Sequence, residues 1–256
     1  MSEPVLRYET EGGVVVLTLN RPGKRNALNR ALVEALMDGL ERAGRQGARV
    51  VAIRGAGPDF CSGADLAELE EAADAGVEES LSDAGRLGEL FVALRHHPAP
   101  VVAVVHGRAL AGGCGLATAC DLVLAREDAQ LGYPEVHLGF VPAMVMAILR
   151  RKVPEAKAFE LVARGERIGA ADARAIGLVN RALAEEGFEE AVRDYLESLA
   201  SRPASAVALS KRLLYGLDAT GFEEGVRRGA EVNALARRTR ECREGVRRFL
   251  EEKSSS

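Results

Sequence analysis

No stretch of this sequence approaches the ~18 consecutive apolar residues that a membrane-spanning helix needs. Its polar start, Met1-Ser2-Glu3-Pro4, lacks the charged-then-apolar pattern of a secretory leader. The four cysteines, Cys61, Cys114, Cys120 and Cys242, show neither CxxC spacing nor a disulfide framework. The four histidines, His96, His97, His106 and His137, have no metal-ligand spacing, so no metal is expected. Together these absences lead us to expect a cytoplasmic protein that does not enter a membrane. Charge of one sign is also scarce: 34 Lys and Arg stand against 38 Asp and Glu, a formal net charge of −4. That balance gives no general pull toward nucleic acid or an anionic surface. Two catalytic templates fail outright. There is no G-x-S-x-G elbow to carry a nucleophilic serine. The dinucleotide fingerprint that Gly113 and Gly115 begin breaks at Thr118, where its third glycine belongs.

What is present is an ordinary soluble composition, 47% hydrophobic and 28% charged over 256 residues, enough for one substantial core. Two segments stand out, Gly57–Leu66 and Gly107–Gly115. Each follows an apolar run that reads as a buried strand, Val50–Ile53 and Val101–Val105, and each leads into a helix-like stretch. Small residues at a strand-to-helix turn let backbone N–H groups face a ligand. Two such turns could converge on one oxygen.

Apolar patterning predicts a hairpin from Val5–Tyr8 and Val14–Leu19, an amphipathic helix over 30–45, and strands at Val50–Arg54, Val101–Val105 and Leu122–Ala125. Glu68–Ser82 reads as mobile or irregular, and Leu87–Leu94 as a helix ending before the prolines at 98 and 100. Helices are expected near Gly113–Ala119, over Phe140–Val153, from Pro154 to Arg164 and over Ala170–Ala175. From Phe188 the chain reads as helical throughout, with segments 188–200, 204–215, 222–238 and 240–252.

Five strings occur in order: Leu19–Asn29, Ser62-Gly63-Ala64-Asp65-Leu66, the glycine turn with Ala119-Cys120-Asp121-Leu122, Gly132-Tyr133-Pro134-Glu135-Val136, and Glu244-Gly245-Val246. In this arrangement the chain resembles the enoyl-CoA hydratase/isomerase, or crotonase, superfamily over nearly its whole length. The resemblance implies an α/β fold, a crotonase-like spiral of ββα turns over residues 1–200. A helical C-terminal segment, 201–256, would mediate assembly into a homotrimer or homohexamer. The implied partner is an acyl-CoA thioester, with no separate cofactor, because coenzyme A is part of the substrate.

By motif position, the resemblance assigns two backbone N–H donors, Ala64 and Gly112, to an enolate oxygen, and proton transfer to Glu135. Lys24 and Arg25 match a region near the adenine and phosphates of CoA. Ala27, Ser62, Asp65, Leu66, Gly113, Gly115, Tyr133, Pro134 and Phe140 complete the expected substrate site, with Asp65 also expected to brace its turn. Phe249 and Lys253 resemble residues that reach a neighbouring subunit's CoA. Family hydratases use two glutamates, and the position of the first is Gly115 here. Hydration of a 2,3 double bond is the leading expectation. A Δ3,Δ2 isomerase using Glu135 alone is the alternative, and a non-catalytic CoA- or RNA-binding protein is the lesser one. His106 and His137 stand close enough in sequence to help with water.

Overall fold

The computed structural model describes residues 3–71 and 76–254. The chain runs β1 (Leu6–Glu11), β2 (Val14–Leu19), α1 (Arg30–Arg45), β3 (Val50–Gly55), α2 (Leu66–Glu71), α3 (Val77–His96), β4 (Val101–Val105), β5 (Arg108–Leu110) and α4 (Gly112–Ala119). It continues through β6 (Leu122–Arg126), β7 (Gln130–Gly132), α5 (Ala143–Lys152), α6 (Glu155–Arg164), β8 (Arg167–Gly169), α7 (Ala170–Ala175), β9 (Arg181–Leu183) and α8 (Phe188–Ala200). Three further helices close it: α9 (Ala204–Gly216), α10 (Phe222–Arg238) and α11 (Arg240–Ser254).

Six strands form one sheet in the order β1-β2-β3-β4-β6-β9, parallel except for the β1–β2 hairpin. Parallel strands need helical crossovers, which cover both faces. Side chains accordingly alternate between two cores. Val51, Ile53, Ala103 and Val105 face the larger core with Leu32, Leu36, Leu90 and Leu94. Val50, Ala52, Val102 and Val104 face a smaller one with Phe188, Val192 and Leu196 of α8. A second sheet, β5-β7-β8, stands beside the first.

The expected fold class is the observed one, with differences at several elements. Residues 68–71 and 77–82 are helical where an irregular segment was expected; the intervening 72–75 lie outside the described residues. Alanine and glutamate favour helix, and Glu78 and Glu79 sit in the first turn of α3, where acidic groups complement the helix dipole. The helix expected from Phe140 starts only at Ala143. Gly139 adopts a left-handed conformation and Pro142 stands at the N-cap, so Phe140 and Val141 lie in a loop. Pro154 likewise caps α6 rather than entering its first turn. Four three-residue strands, β5, β7, β8 and β9, escaped the sequence reading. None of the described helices is long and apolar enough to cross a membrane.

Candidate active site

The two glycine turns meet. A parallel bridge pairs Leu28 with Ala64 through Leu28 N–H to Gly63 O (2.7 Å) and Asp65 N–H to Leu28 O (3.0 Å). It uses the groups flanking Ala64, so the N–H of Ala64 itself points the other way. A second bridge pairs Cys61 with Ala109, where Cys61 N–H reaches Arg108 O and Leu110 N–H reaches Cys61 O, both at 3.0 Å. This locks the first turn against the strand that feeds the second. Asp59 ties them again, accepting from the Arg108 backbone N–H (3.1 Å) and from its guanidinium (2.7 Å twice).

Gly112 begins α4. The first main-chain bond of that helix is Gly115 N–H to Ala111 O (2.9 Å), so the preceding N–H groups precede the ladder and carry its positive end. Ala111 sits at φ 49° and ψ −130°, a region costly for a residue with a side chain. That twist reorients the peptide linking it to Gly112. A methyl group built on Gly112 would lie 3.7 Å from Ala64 N, and one built on Gly63 would lie 3.3 Å from Gly112 N. The two free N–H groups are therefore neighbours. Gly63 has φ +104°, and an added Cβ there would approach the Ala111 methyl to 2.8 Å. Only glycine fits.

A cavity of about 770 Å³ opens beside them. Of the residues expected at the substrate site, it is lined by Lys24, Arg25, Ala27, Ser62, Ala64, Asp65, Leu66, Gly112, Gly115, Pro134, Glu135 and Phe140. Gly113 and Tyr133 are corrections. Gly113 is buried behind the wall, where an added Cβ would meet Cys61 O at 2.3 Å; its role is close packing. Tyr133 is wholly buried, its hydroxyl 3.1 Å from the Thr118 hydroxyl.

Glu135 follows β7 in a 3₁₀ turn, Pro134–Leu138. It lines the cavity while only 8% exposed, and its Oε2 is buried without a hydrogen-bond partner. Burial raises its pKa above the usual glutamate range. Asp65 is held the opposite way. Its carboxylate accepts from the Arg21 guanidinium (2.8 Å) and from Ala67 N–H (3.2 Å) at the start of α2, and the Arg21 hydrogen bond lowers its pKa. It braces the turn, as expected. Cys61 and Cys114 are fully buried, and burial pushes both thiols up to about 12, so neither is an activated nucleophile.

The histidines separate. His106 does not line the cavity; its Nε2 is 2.9 Å from Gly57 O. His137 lines it, with Nε2 3.2 Å from Gly165 O. Gly115 is an ordinary helical residue, not one that needs a special backbone. A Cβ there would come within 3.2 Å of the Phe91 ring and 3.5 Å of Val145, so a side chain at this position starts crowded against apolar groups.

The sequence reading missed two supports. Arg21 holds Asp65 and also donates to Ala27 O (2.6 Å). Asn26 is fully buried with φ 55°, accepts from Arg21 N–H, and donates to Ala56 O and Asp59 O. The run Arg21–Asn26, with a proline, a glycine and a polar residue at its close, was the available signal. It also missed Leu69, Leu87 and Phe91, which with Met144 and Val145 form the cavity's apolar side. They come from three helices, and no local pattern joins them.

A family model described as enoyl-CoA hydratase/isomerase matches residues 9–256. A Thermus thermophilus protein, named provisionally as an enoyl-CoA hydratase, is 40% identical over 244 residues, covering 95% of this chain and 96% of its own. The 2,3-dehydroadipyl-CoA hydratase of Escherichia coli is 33% identical over 256 residues, covering 99% and 98%. Among solved structures, an enoyl-CoA hydratase from Mycobacterium smegmatis superposes with a TM-score of 0.93 at 34% identity, covering 98% of this chain and 97% of that one. The chain belongs to the enoyl-CoA hydratase/isomerase family.

Proposed function

We propose that this protein hydrates the 2,3 double bond of an enoyl-CoA thioester. One observation carries the reading: the unpartnered, buried carboxyl oxygen of Glu135 shares a cavity with the converging N–H groups of Ala64 and Gly112. The thioester oxygen accepts from both N–H groups. Glu135, ionised, takes a proton from a water molecule as the water oxygen bonds to C3. The electron pair of the double bond moves onto the thioester, giving an enolate whose charge the two donors stabilise. Glu135 then returns its proton to C2. Loss of one such donor typically costs about 2.7–4 kcal/mol of barrier. Lys24 and Arg25, on the 3₁₀ turn next to Ser62, supply cations for the CoA phosphates, and coenzyme A enters and leaves with the acyl group.

A specific observation favours a second reading, isomerisation of a 3-enoyl-CoA. Gly115 offers no carboxylate, and Phe91 and Val145 fill the space beside it. Glu135 alone would remove a proton from C2 and return it to C4. Two absorbance assays decide between the readings: loss of the 2-enoyl band of crotonyl-CoA, and appearance of that band from a 3-enoyl-CoA. Loss alone supports hydration, and appearance alone supports isomerisation. Calorimetry with acetoacetyl-CoA and a short RNA is the companion test. RNA binding without CoA binding overturns both. We further propose that α9, α10 and α11 assemble the chain into a trimer or a dimer of trimers.

A further inference from the structure

Little in its own side chain fixes Glu135. Its Oε2 is buried without a partner, and the one hydrogen bond that bears on its charge comes from its own backbone N–H. The turn beneath it, Pro134–Leu138, therefore aims the carboxyl. Two residues to either side, the chain is tied to helices. Tyr133 is fully buried, its hydroxyl 3.1 Å from the Thr118 hydroxyl on α4, the helix that presents Gly112. His137 lines the cavity, with Nε2 3.2 Å from the carbonyl oxygen of Gly165, the residue that closes α6. A carbonyl only accepts, so Nε2 carries the proton and donates. Among the described residues this is the one hydrogen bond from the turn to a distant element; those from Phe140 N–H to Glu135 O and from Gly139 N–H to Val136 O are local. The contact is close. Gly165 has φ +63°, and an added Cβ there would come within 2.8 Å of both His137 Nε2 and Val136 Cγ1, so only glycine lets α6 end against the turn. Because His137 is exposed, core packing does not account for it.

We infer that His137 is a positioning residue for Glu135: by tethering the 134–138 turn to the Gly165 carbonyl, its Nε2–H holds the carboxyl against the substrate atoms that the Ala64 and Gly112 N–H groups fix. The inference rests on the reading of Glu135 as the proton-transfer group, and it applies to hydration and isomerisation alike. The ring itself exchanges no proton with the substrate. Nε2–H remains a donor when the ring is protonated, so the tether does not depend on the ring's charge. A catalytic group held by its backbone alone is sensitive to small movements of that backbone, and a displacement of about 1 Å can cost on the order of 100-fold in rate.

Steady-state kinetics of the intact protein, on whichever enoyl-CoA the wild type converts, tests this. His137→Ala removes the tether, and kcat should fall about 10–100-fold while acetoacetyl-CoA affinity stays within about threefold of wild type. The position is exposed, and a Tm within a few degrees of wild type verifies folding. His137→Gln places an amide N–H where Nε2–H stood but cannot exchange a proton, so it should recover kcat to within about threefold of wild type and leave the acid limb of the pH profile in place. In a Glu135→Gln background, His137→Ala should cost less than about threefold more, because no carboxylate is left to aim. Three results each overturn the inference and leave Glu135 in its role. Wild-type kcat in His137→Ala means that the turn needs no tether. A His137→Gln variant as slow as His137→Ala, or with a displaced acid limb, means that the ring itself takes part in proton transfer. Full multiplication of the two losses in the double variant means that His137 acts without Glu135. Absence of turnover in the wild type, or near-wild-type turnover in Glu135→Gln, overturns the inference together with the reading of Glu135.

Discussion

In the proposed reaction, Glu135 is the residue on which the chemistry turns. Its backbone is fixed by Pro134 and by Phe140 N–H donating to Glu135 O (3.0 Å), while one carboxyl oxygen is left unpartnered. Glu135→Gln preserves shape but cannot exchange a proton, so turnover should fall about 10²–10⁴-fold with acetoacetyl-CoA affinity little changed. Near-wild-type turnover would remove the assignment and make His137 the next candidate. Burial also raises this carboxyl's pKa, which predicts two pH effects. The rate of a step that needs ionised Glu135 should fall on an acid limb centred above the ordinary carboxylate range. Stability should move oppositely. A folded-state pKa above the unfolded one means that the protonated group's contribution is complete below the unfolded pKa and is lost as pH rises through the folded value. Glu135→Gln should therefore melt above wild type at ~pH 8, with the gap closing toward ~pH 4. A gap that is constant across that range would exclude burial as the cause.

At the scale of the element, α4 shows how a short helix serves two purposes. Its N-terminus presents Gly112, and its next turn places Gly115 against Phe91 and Val145. Gly115→Glu alone crowds the Phe91 ring, 3.2 Å from the added Cβ, and overpacking of this kind costs about 1–3 kcal/mol. Phe91→Ala alone leaves a cavity and costs about 3–5 kcal/mol. Because one change fills the space that the other vacates, the double variant should be more stable than the sum of the two predicts, and it is the form in which added hydratase activity is expected. Strict additivity by denaturant unfolding would show that the glutamate turns elsewhere. The strained entry to α4 makes a second prediction. Relief of about 1–3 kcal/mol of backbone strain outweighs glycine's entropic penalty of about 0.5–1 kcal/mol, so Ala111→Gly should leave stability unchanged or raise it. A drop in Tm would mean that the Ala111 methyl, against Gly63, contributes more than the strain costs.

Across the whole molecule, the last three helices are held differently from the rest. None of the residues of α9, α10 and α11 is buried, whereas Leu214, Phe222, Val226, Leu235, Val246 and Phe249 are all more than half exposed. One polar anchor ties α9 to the sheet. Lys211 Nζ donates to Asp121 Oδ2 (2.7 Å) and to the Leu94 and Ala99 carbonyls, and the Tyr215 hydroxyl donates to Asp121 Oδ1 (2.7 Å). Lys211 and Asp121 are both nearly buried, so Lys211→Ala leaves the Asp121 charge with only two neutral donors, the Tyr215 hydroxyl and the Val101 N–H, and should destabilise by about 3–5 kcal/mol, measured by denaturant unfolding. A loss below about 1 kcal/mol would show that water replaces the ammonium. The uncovered apolar faces lead us to expect a particle of several 27.3 kDa chains in light scattering; a monomer at micromolar concentration would refute assembly.

Some of this was legible without a structure. Val101–Val105 reads as a buried strand because it is short, β-branched and followed by a glycine turn, and the 3.6-residue rhythm of α1, α8 and α10 is a local property of the chain. The motif strings likewise pointed to Ala64, Gly112 and Glu135 through family resemblance. Three-residue strands such as β5 and β7 were invisible, because pairing with distant partners, not their composition, makes them strands. Gly113 and Gly112 are adjacent and chemically identical, yet one packs on Cys61 and the other faces the cavity. Tyr133 and Glu135 differ in the same way. Which side of a turn faces solvent is set by what packs behind it, and that is decided by residues outside the turn, Cys61 for Gly113 and Thr118 for Tyr133. The apolar wall from α2, α3 and α5 exists only because the spiral brings those helices together. The order of the elements was written in the chain; the meeting of Ala64 and Gly112 at one cavity was decided by the tertiary structure, because a site assembled from distant segments has no local signature.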